Sequence, residues 1–231
     1  MKIKKIFLLL GIFGAIQFLV FTTYAMTIYP GGTIHNHSLE TYSFFTNYFS
    51  DLGRTRTFDG TSNWACHTLF KTALTISGIC IMLFFITLSS FFENGFTRVM
   101  AVLATFFGII AGACYIGLSW LPYDVAFWEH RYFVQAGFIS FLLMSLFYSI
   151  AIFQDEIYPN KYGWAFLIFI MILFPQILIM IYGPRSWHSP NALLLQATSQ
   201  KIVVYSQILC LLYQAIGLWK LENKLTRSGL L

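Results

Sequence analysis

The sequence predicts an all-α fold, a polytopic membrane protein built as a bundle of about six transmembrane helices. Three observations carry that expectation. Of the 231 residues 58% are hydrophobic and only 10% charged, where a soluble domain carries about 25% charged residues, and the mean hydropathy is +0.69. The apolar residues gather into six runs, each near the roughly 20 residues that a helix needs to span the hydrocarbon core. Trp64, Trp120, Trp128, Trp164, Trp187 and Trp219 all stand near the ends of those runs, where amphipathic rings settle at the membrane interface. No linker, low-complexity tract or repeat divides the chain, so residues 1–231 read as one transmembrane domain.

The first helix is expected over about 6–26. Its basic start, Lys2-Ile-Lys-Lys5, and the small residues at Thr23-Tyr24-Ala25 also suit a cleaved signal peptide. The apolar run is long for that, and no soluble domain follows it, which favours retention. The remaining helices are expected over about 65–91, 99–118, 132–153, 163–182 and 202–219. Pro175 falls inside the fifth, where it predicts a kink. Orientation follows from the basic residues, which collect on the cytoplasmic side. With the N-terminus inside, that side holds Lys2, Lys4, Lys5, Arg98, Lys161, Lys220, Lys224 and Arg227. The opposite side holds Arg54, Arg56, Lys71, Arg131, Arg185 and Lys201. The basic start and the basic tail place both termini in the cytoplasm of a multi-pass cell-membrane protein. The formal charge of +5 is thereby explained by topology and anionic lipids, and no basic-aromatic pattern points to nucleic acid.

The long connections then fall on the outer side: 27–64, 119–131 and 183–201. Within the first of these, Phe45, Phe49 and Leu52 recur at helical spacing. Ser38 is placed to cap a helix and Gly53 to end it. A short helix over 39–52 is expected at the membrane interface or across the end of the bundle. Cys66, Cys80, Cys114 and Cys210 form neither a Cys-x-x-Cys pair nor a zinc-ligand spacing.

Ionisable groups near membrane helices are costly and tend to face the bundle interior. Asp51 closes Ser50-Asp51-Leu52-Gly53. Asn63, His67 and Lys71 lie four residues apart and share one face of the second helix. Asp124, His130 and Arg131 stand between the third and fourth helices. Gln200, Gln207 and Gln214 form a stripe on the sixth, with Lys201 beside it near the outer end. Lys71, about two turns inside its run, is expected to pair with Asp51 or Asp124. One reading is that these groups simply tie loops to helices in a structural or accessory membrane protein. A second is a ligand site built from Asp51, Asn63, His67, Lys71, Asp124, His130, Arg131, Lys201 and Gln207. There the cations would hold the phosphate or carboxylate of a membrane lipid or small polar ligand. A third is a metal-dependent membrane hydrolase in which His67, His130, Asp51 and Asp124 hold zinc and its bound water attacks the substrate. No HExxH or comparable spacing supports the metal, and Lys71 one turn from His67 opposes it. A transport path would need ionisable steps in the inner halves of the helices, where the sequence offers none.

The order of these motifs resembles a prokaryotic six-helix membrane family of unassigned activity. It has Ser50-Asp51-Leu52-Gly53 after a first helix and long outer loop, Asn63 opening the second helix, Leu121-Pro122-Tyr123-Asp124 after the third, and His130 at the fourth. It is more distantly similar to the eukaryotic Frag/DRAM/Sfk membrane proteins, which share a Ser-Asp-Leu-Gly-type segment. The resemblance implies six helices and an outward polar cluster at Asp51, Asn63, Asp124 and His130. It implies no reaction, and the eukaryotic proteins' link to lipid organisation points toward lipid.

Overall fold

A computed structural model describes residues 2–93 and 95–227, with the side chains of Lys2, Leu225 and Arg227 outside that description. Six α-helices follow one another: α1 Lys2–Ile28, α2 Trp64–Ser89, α3 Gly95–Trp120, α4 Phe127–Phe153, α5 Asn160–Tyr182 and α6 Pro190–Arg227. All six are long and apolar enough to cross a membrane, and the described residues contain no strand. Each helix packs on its neighbour in sequence, and α6 returns to pack on α1, so the bundle is a closed ring. The crossing of α2 and α3 is tight because Gly78 and Gly112 face each other. A Cβ on Gly112 would stand 2.6 Å from the Gly78 carbonyl oxygen. Small residues allow such backbone approach where lipid removes the usual hydrophobic drive between helices.

Short connections join α2 to α3 and α4 to α5 at the end where α1 begins and α6 ends. The other end carries 29–63, 121–126 and 183–189 and is called the loop-bearing end below. The ring interior is aromatic: Tyr148 stacks on Phe85 and on Phe166, with centroids 5.5 and 5.8 Å apart, and its hydroxyl donates to the Phe85 carbonyl. A second apolar cluster fills the loop-bearing end, where Phe49 and Leu52 pack among Phe18, Phe70 and Leu74. The four cysteines are free and buried.

Three differences from the sequence reading have physical causes. Only Phe49–Gly53 of the helix expected over 39–52 is helical, and it is a 3-10 turn. The backbone ahead of it makes an isolated turn, with the Asn47 amide donating to the Ser43 carbonyl at 2.8 Å, and is otherwise held by side chains. Asn47 Oδ1 accepts from the Ser43 amide, while Nδ2 donates to the Gly32 carbonyl and to Asp51, which is how Asx side chains compete with a helix. Gly31 begins this path at φ +128, where a Cβ would strike the Leu39 carbonyl. Second, α4 starts at Phe127, so His130 and Arg131 lie within its first turns. Third, α6 starts at Pro190 and not near 202, because the polar stretch from Gln196 to Lys201 continues the helix with its side chains satisfied by neighbours. The signal was Ser189-Pro190: the Ser189 hydroxyl accepts from the Ala192 amide, a capping serine ahead of a proline at the first helical position. At 38 residues and 1.5 Å per residue, α6 is about 57 Å long and outruns the hydrocarbon core. Its far end buries Glu222, with one carboxylate oxygen unpartnered. The end of the bundle opposite the long loops therefore does hold a buried ionisable group.

Candidate ligand cavity at the loop-bearing end

The first connection is fastened to the bundle along its length. Asn63, at the start of α2, donates its amide to the carbonyls of Leu52 and Arg54 at 3.1 and 2.9 Å, and more weakly to that of Asp51. One turn on, His67 Nδ1 donates to the Gly53 carbonyl at 2.8 Å. Asp124 accepts from the Thr55 amide and hydroxyl and from the Arg56 amide. Burial would raise its carboxyl, but those donors outweigh it and hold it below 3.8. From α6, Thr198 donates to the Phe45 carbonyl and Gln200 Oε1 accepts from the Phe49 amide. His35 bonds the Ser186 carbonyl in the α5–α6 connection at 2.8 Å.

Lys201 completes this clamp. Its ammonium is 2% exposed, donates to the Asn47 carbonyl, and lies 5.3–5.7 Å from the ring centroids of Tyr42, Phe44 and Phe49. Aromatic faces attract such a cation electrostatically. Asp51 is likewise buried. Its Oδ2 accepts from the Asn47 amide and the Tyr48 backbone, yet desolvation dominates and raises the carboxyl above 3.8 despite Asn47, Arg54, Tyr48 and Lys201.

The nine expected site residues therefore do not form one site. Asp51, Asn63, His67, Asp124 and Lys201 are spent on the clamp. Lys71 pairs with neither Asp51 nor Asp124. Its ammonium stands 3.3 Å above the Trp120 ring on the flank of the bundle, two turns beyond Asn63 and out of reach of the loop that Asn63 and His67 hold. Gln207 lies deeper and accepts from the Tyr115 hydroxyl at 2.8 Å, tying α6 to α3. Its neighbour in the stripe, Gln214, donates to the Tyr162 carbonyl on α5. Such interhelical bonds are ordinary glue in a membrane bundle. A polar residue absent from the sequence argument, Gln17 on α1, does the same to Ala73 and Ser77 on α2.

His130 and Arg131 alone of the nine, with one wall from Asp51, face an open cavity of about 100 Å³. It is bounded by α4 (His130, Arg131, Val134, Gln135, Phe138), α5 (Gln176, Met180), the 183–189 connection (Arg185, Ser186, Trp187), α6 (Gln196, Gln200) and the clamp (Tyr48, Ser50, Asp51). Two features distinguish it. The guanidinium groups of Arg131 and Arg185 make no hydrogen bond or ion pair among the described residues, although that of Arg131 lies near the rings of Phe127 and Trp128. Gln176, 4% exposed and just after Pro175, has an amide oxygen with no partner, an arrangement that costs free energy unless something donates to it. His130 Nδ1 stands 2.7 Å from the Leu121 carbonyl. A carbonyl only accepts, so the neutral ring carries its proton there and keeps Nε2 as an acceptor.

No protein-family model matches the chain, and neither does any curated protein or solved structure.

The sequence reading passed over Arg185, Gln176 and Gln196. Gln196 was the most legible, because it precedes Gln200 by one helical turn and shares its face. Gln176 was masked by the apolar run around it. For zinc, the residues present do not fit. Among the described residues no three His, Cys, Asp or Glu side chains could hold one metal ion. His67 and His130 turn their Nδ1 atoms to different carbonyls, and Asp124 is engaged with Thr55 and Arg56.

Proposed function

We propose that this multi-pass membrane protein recognises an anionic, hydroxyl-bearing polar group, presented by a lipid headgroup or a small ligand, in the cavity between α4, α5 and α6. The observation that carries this reading is the pair Arg131 and Arg185, unpaired at the mouth of a cavity whose wall holds a buried, unpartnered Gln176 oxygen. Guanidinium groups match phosphate and carboxylate oxygens bidentately. The acceptors Gln176 Oε1 and His130 Nε2 call for donors, which hydroxyls on the same ligand supply. A phosphate ester of glycerol or a hydroxy acid meets both demands. The eukaryotic proteins that the motifs resemble, linked to lipid organisation, are consistent with a lipid carrier. The basic-residue distribution turns this end outward, with both termini cytoplasmic.

The spent clamp favours a second reading, a structural or accessory membrane protein whose polar residues serve only to hold its loop in place. The two separate by experiment. The purified chain, reconstituted with phosphatidylglycerol, is analysed by native mass spectrometry with glycerol phosphate and inorganic phosphate as soluble competitors. Losing charge-assisted bonds in Arg131→Ala/Arg185→Ala should weaken retention at least about tenfold. Displacement by glycerol phosphate alone would favour a headgroup or small ester, and displacement by both a plain phosphate site. Retention equal to wild type in the double variant sinks the ligand reading.

A further inference from the structure

A second site lies outside the ring, on the flank of α2 and α3, and shares no residue with the cavity. A groove of about 370 Å³ is lined by Trp64, His67, Thr68, Lys71, Thr72 and Trp120, with Thr75 and Ile76 at its base. Its rims are the indoles of Trp64 and Trp120, 72% and 62% exposed. Lys71 stands between them. From Trp64 to Lys71 the helix backbone descends about 10 Å, and the lysine side chain brings its ammonium back to the Trp120 indole at the interfacial level.

A cation on the lipid-facing flank of a membrane helix calls for a counter-charge. Among the described residues Lys71 has no carboxylate partner, and the Trp120 face beneath it attracts the charge without neutralising it. The groove offers donors beside it. The hydroxyls of Thr68 and Thr72 are exposed and make no hydrogen bond among the described residues, whereas Thr75 is engaged with Ser119 at 2.8 Å. His67, its Nδ1 held by Gly53, keeps Nε2 as an acceptor when neutral. Below the groove the same flank of α2 continues through Ile79 and Ile86, both exposed, a surface suited to acyl chains.

We propose that this groove seats the phosphate of an anionic phospholipid from the surrounding leaflet. Lys71 pairs with the phosphate, Thr68 and Thr72 donate to its oxygens, and the two indoles flank the glycerol while the chains descend along α2. Charge complementarity and the exposed apolar stripe of Ile79 and Ile86 continuing below the groove select a membrane phospholipid over a soluble anion, which has no chains to cover that stripe. This inference does not rest on the cavity reading.

The test reconstitutes the full chain in mixed phosphatidylcholine–phosphatidylglycerol vesicles and measures enrichment of phosphatidylglycerol on the extracted protein. Because one lysine near a membrane surface is worth a single ion pair, Lys71→Gln should lower that enrichment about fivefold. Lys71→Arg should restore it, and the thermal midpoint should match wild type in both variants. The Lys71 effect should persist in the Arg131→Ala/Arg185→Ala background, which separates this site from the cavity. Equal enrichment in wild type and Lys71→Gln overturns the proposal, as does an effect that disappears in that background.

Discussion

Two polar regions meet at the loop-bearing end and are made of the same kinds of residue. In the clamp, Asn47, Asp51 and Lys201 are buried, and each bonds the loop or its neighbours. In the cavity next to it, Arg131, Arg185 and the Gln176 oxygen leave hydrogen-bonding capacity unused. Asp51 and Gln200 border both. Burial or charge alone does not separate a structural network from a binding site. What marks the cavity is two guanidinium groups with unused donors, whereas the clamp consumes its charged groups and leaves only a neutral acceptor, the Asn63 Oδ1, without a partner among the described residues.

That contrast can be broken most severely at Asn47. Replacing it with Ala takes a partner from the Ser43 amide, the Gly32 carbonyl and the Asp51 carboxylate, and should cost about 3 kcal/mol at roughly one per lost partner. Thermal or chaotrope unfolding in detergent reads this, and a change under about 0.5 kcal/mol would remove the clamp as a stabilising network.

A smaller effect tests the state of Asp51. In the unfolded chain its carboxyl ionises near the ordinary 3.8, while burial in the fold raises it. The folded state thus holds the proton more tightly. The resulting stability is present below 3.8 and is lost as pH rises through the raised folded value. Asp51→Asn has no proton to lose, so its stability should stay flat across that window while wild type declines. Matching slopes in the two proteins would assign the decline to another group.

The smallest effect has the opposite sign. Gln176→Leu removes an unpartnered oxygen and should leave the empty protein as stable as wild type or up to about 1 kcal/mol more stable. Destabilisation by more than that in the ligand-free protein would mean Gln176 belongs with the clamp.

The bundle itself was legible in the sequence, because spanning a membrane demands long apolar runs and flanking tryptophans that composition reveals directly. The shape of the first connection was not. Phe49 bonds Gln200, Phe45 bonds Thr198 and Asn47 bonds Lys201, all across about two thirds of the chain, and local periodicity carries no trace of such partners. For the same reason the sequence grouped Lys71, Arg131 and Lys201 as one anion site, while the fold sends them to the flank, the cavity and the clamp. His130 and Arg131, expected just ahead of the fourth helix, lie within its first turns because α4 begins at Phe127.

The clamp also has a consequence for the order in which the protein is made. The connection 29–63 leaves the ribosome early, behind α1, but Thr198, Gln200 and Lys201 belong to the last helix. Until α6 has entered the bilayer, the carbonyls of Phe45 and Asn47 and the amide of Phe49 have nothing on the bundle to hold them. The end of the molecule that carries its candidate chemistry is thus begun first and fastened last, and its closure reports that all six helices are in place.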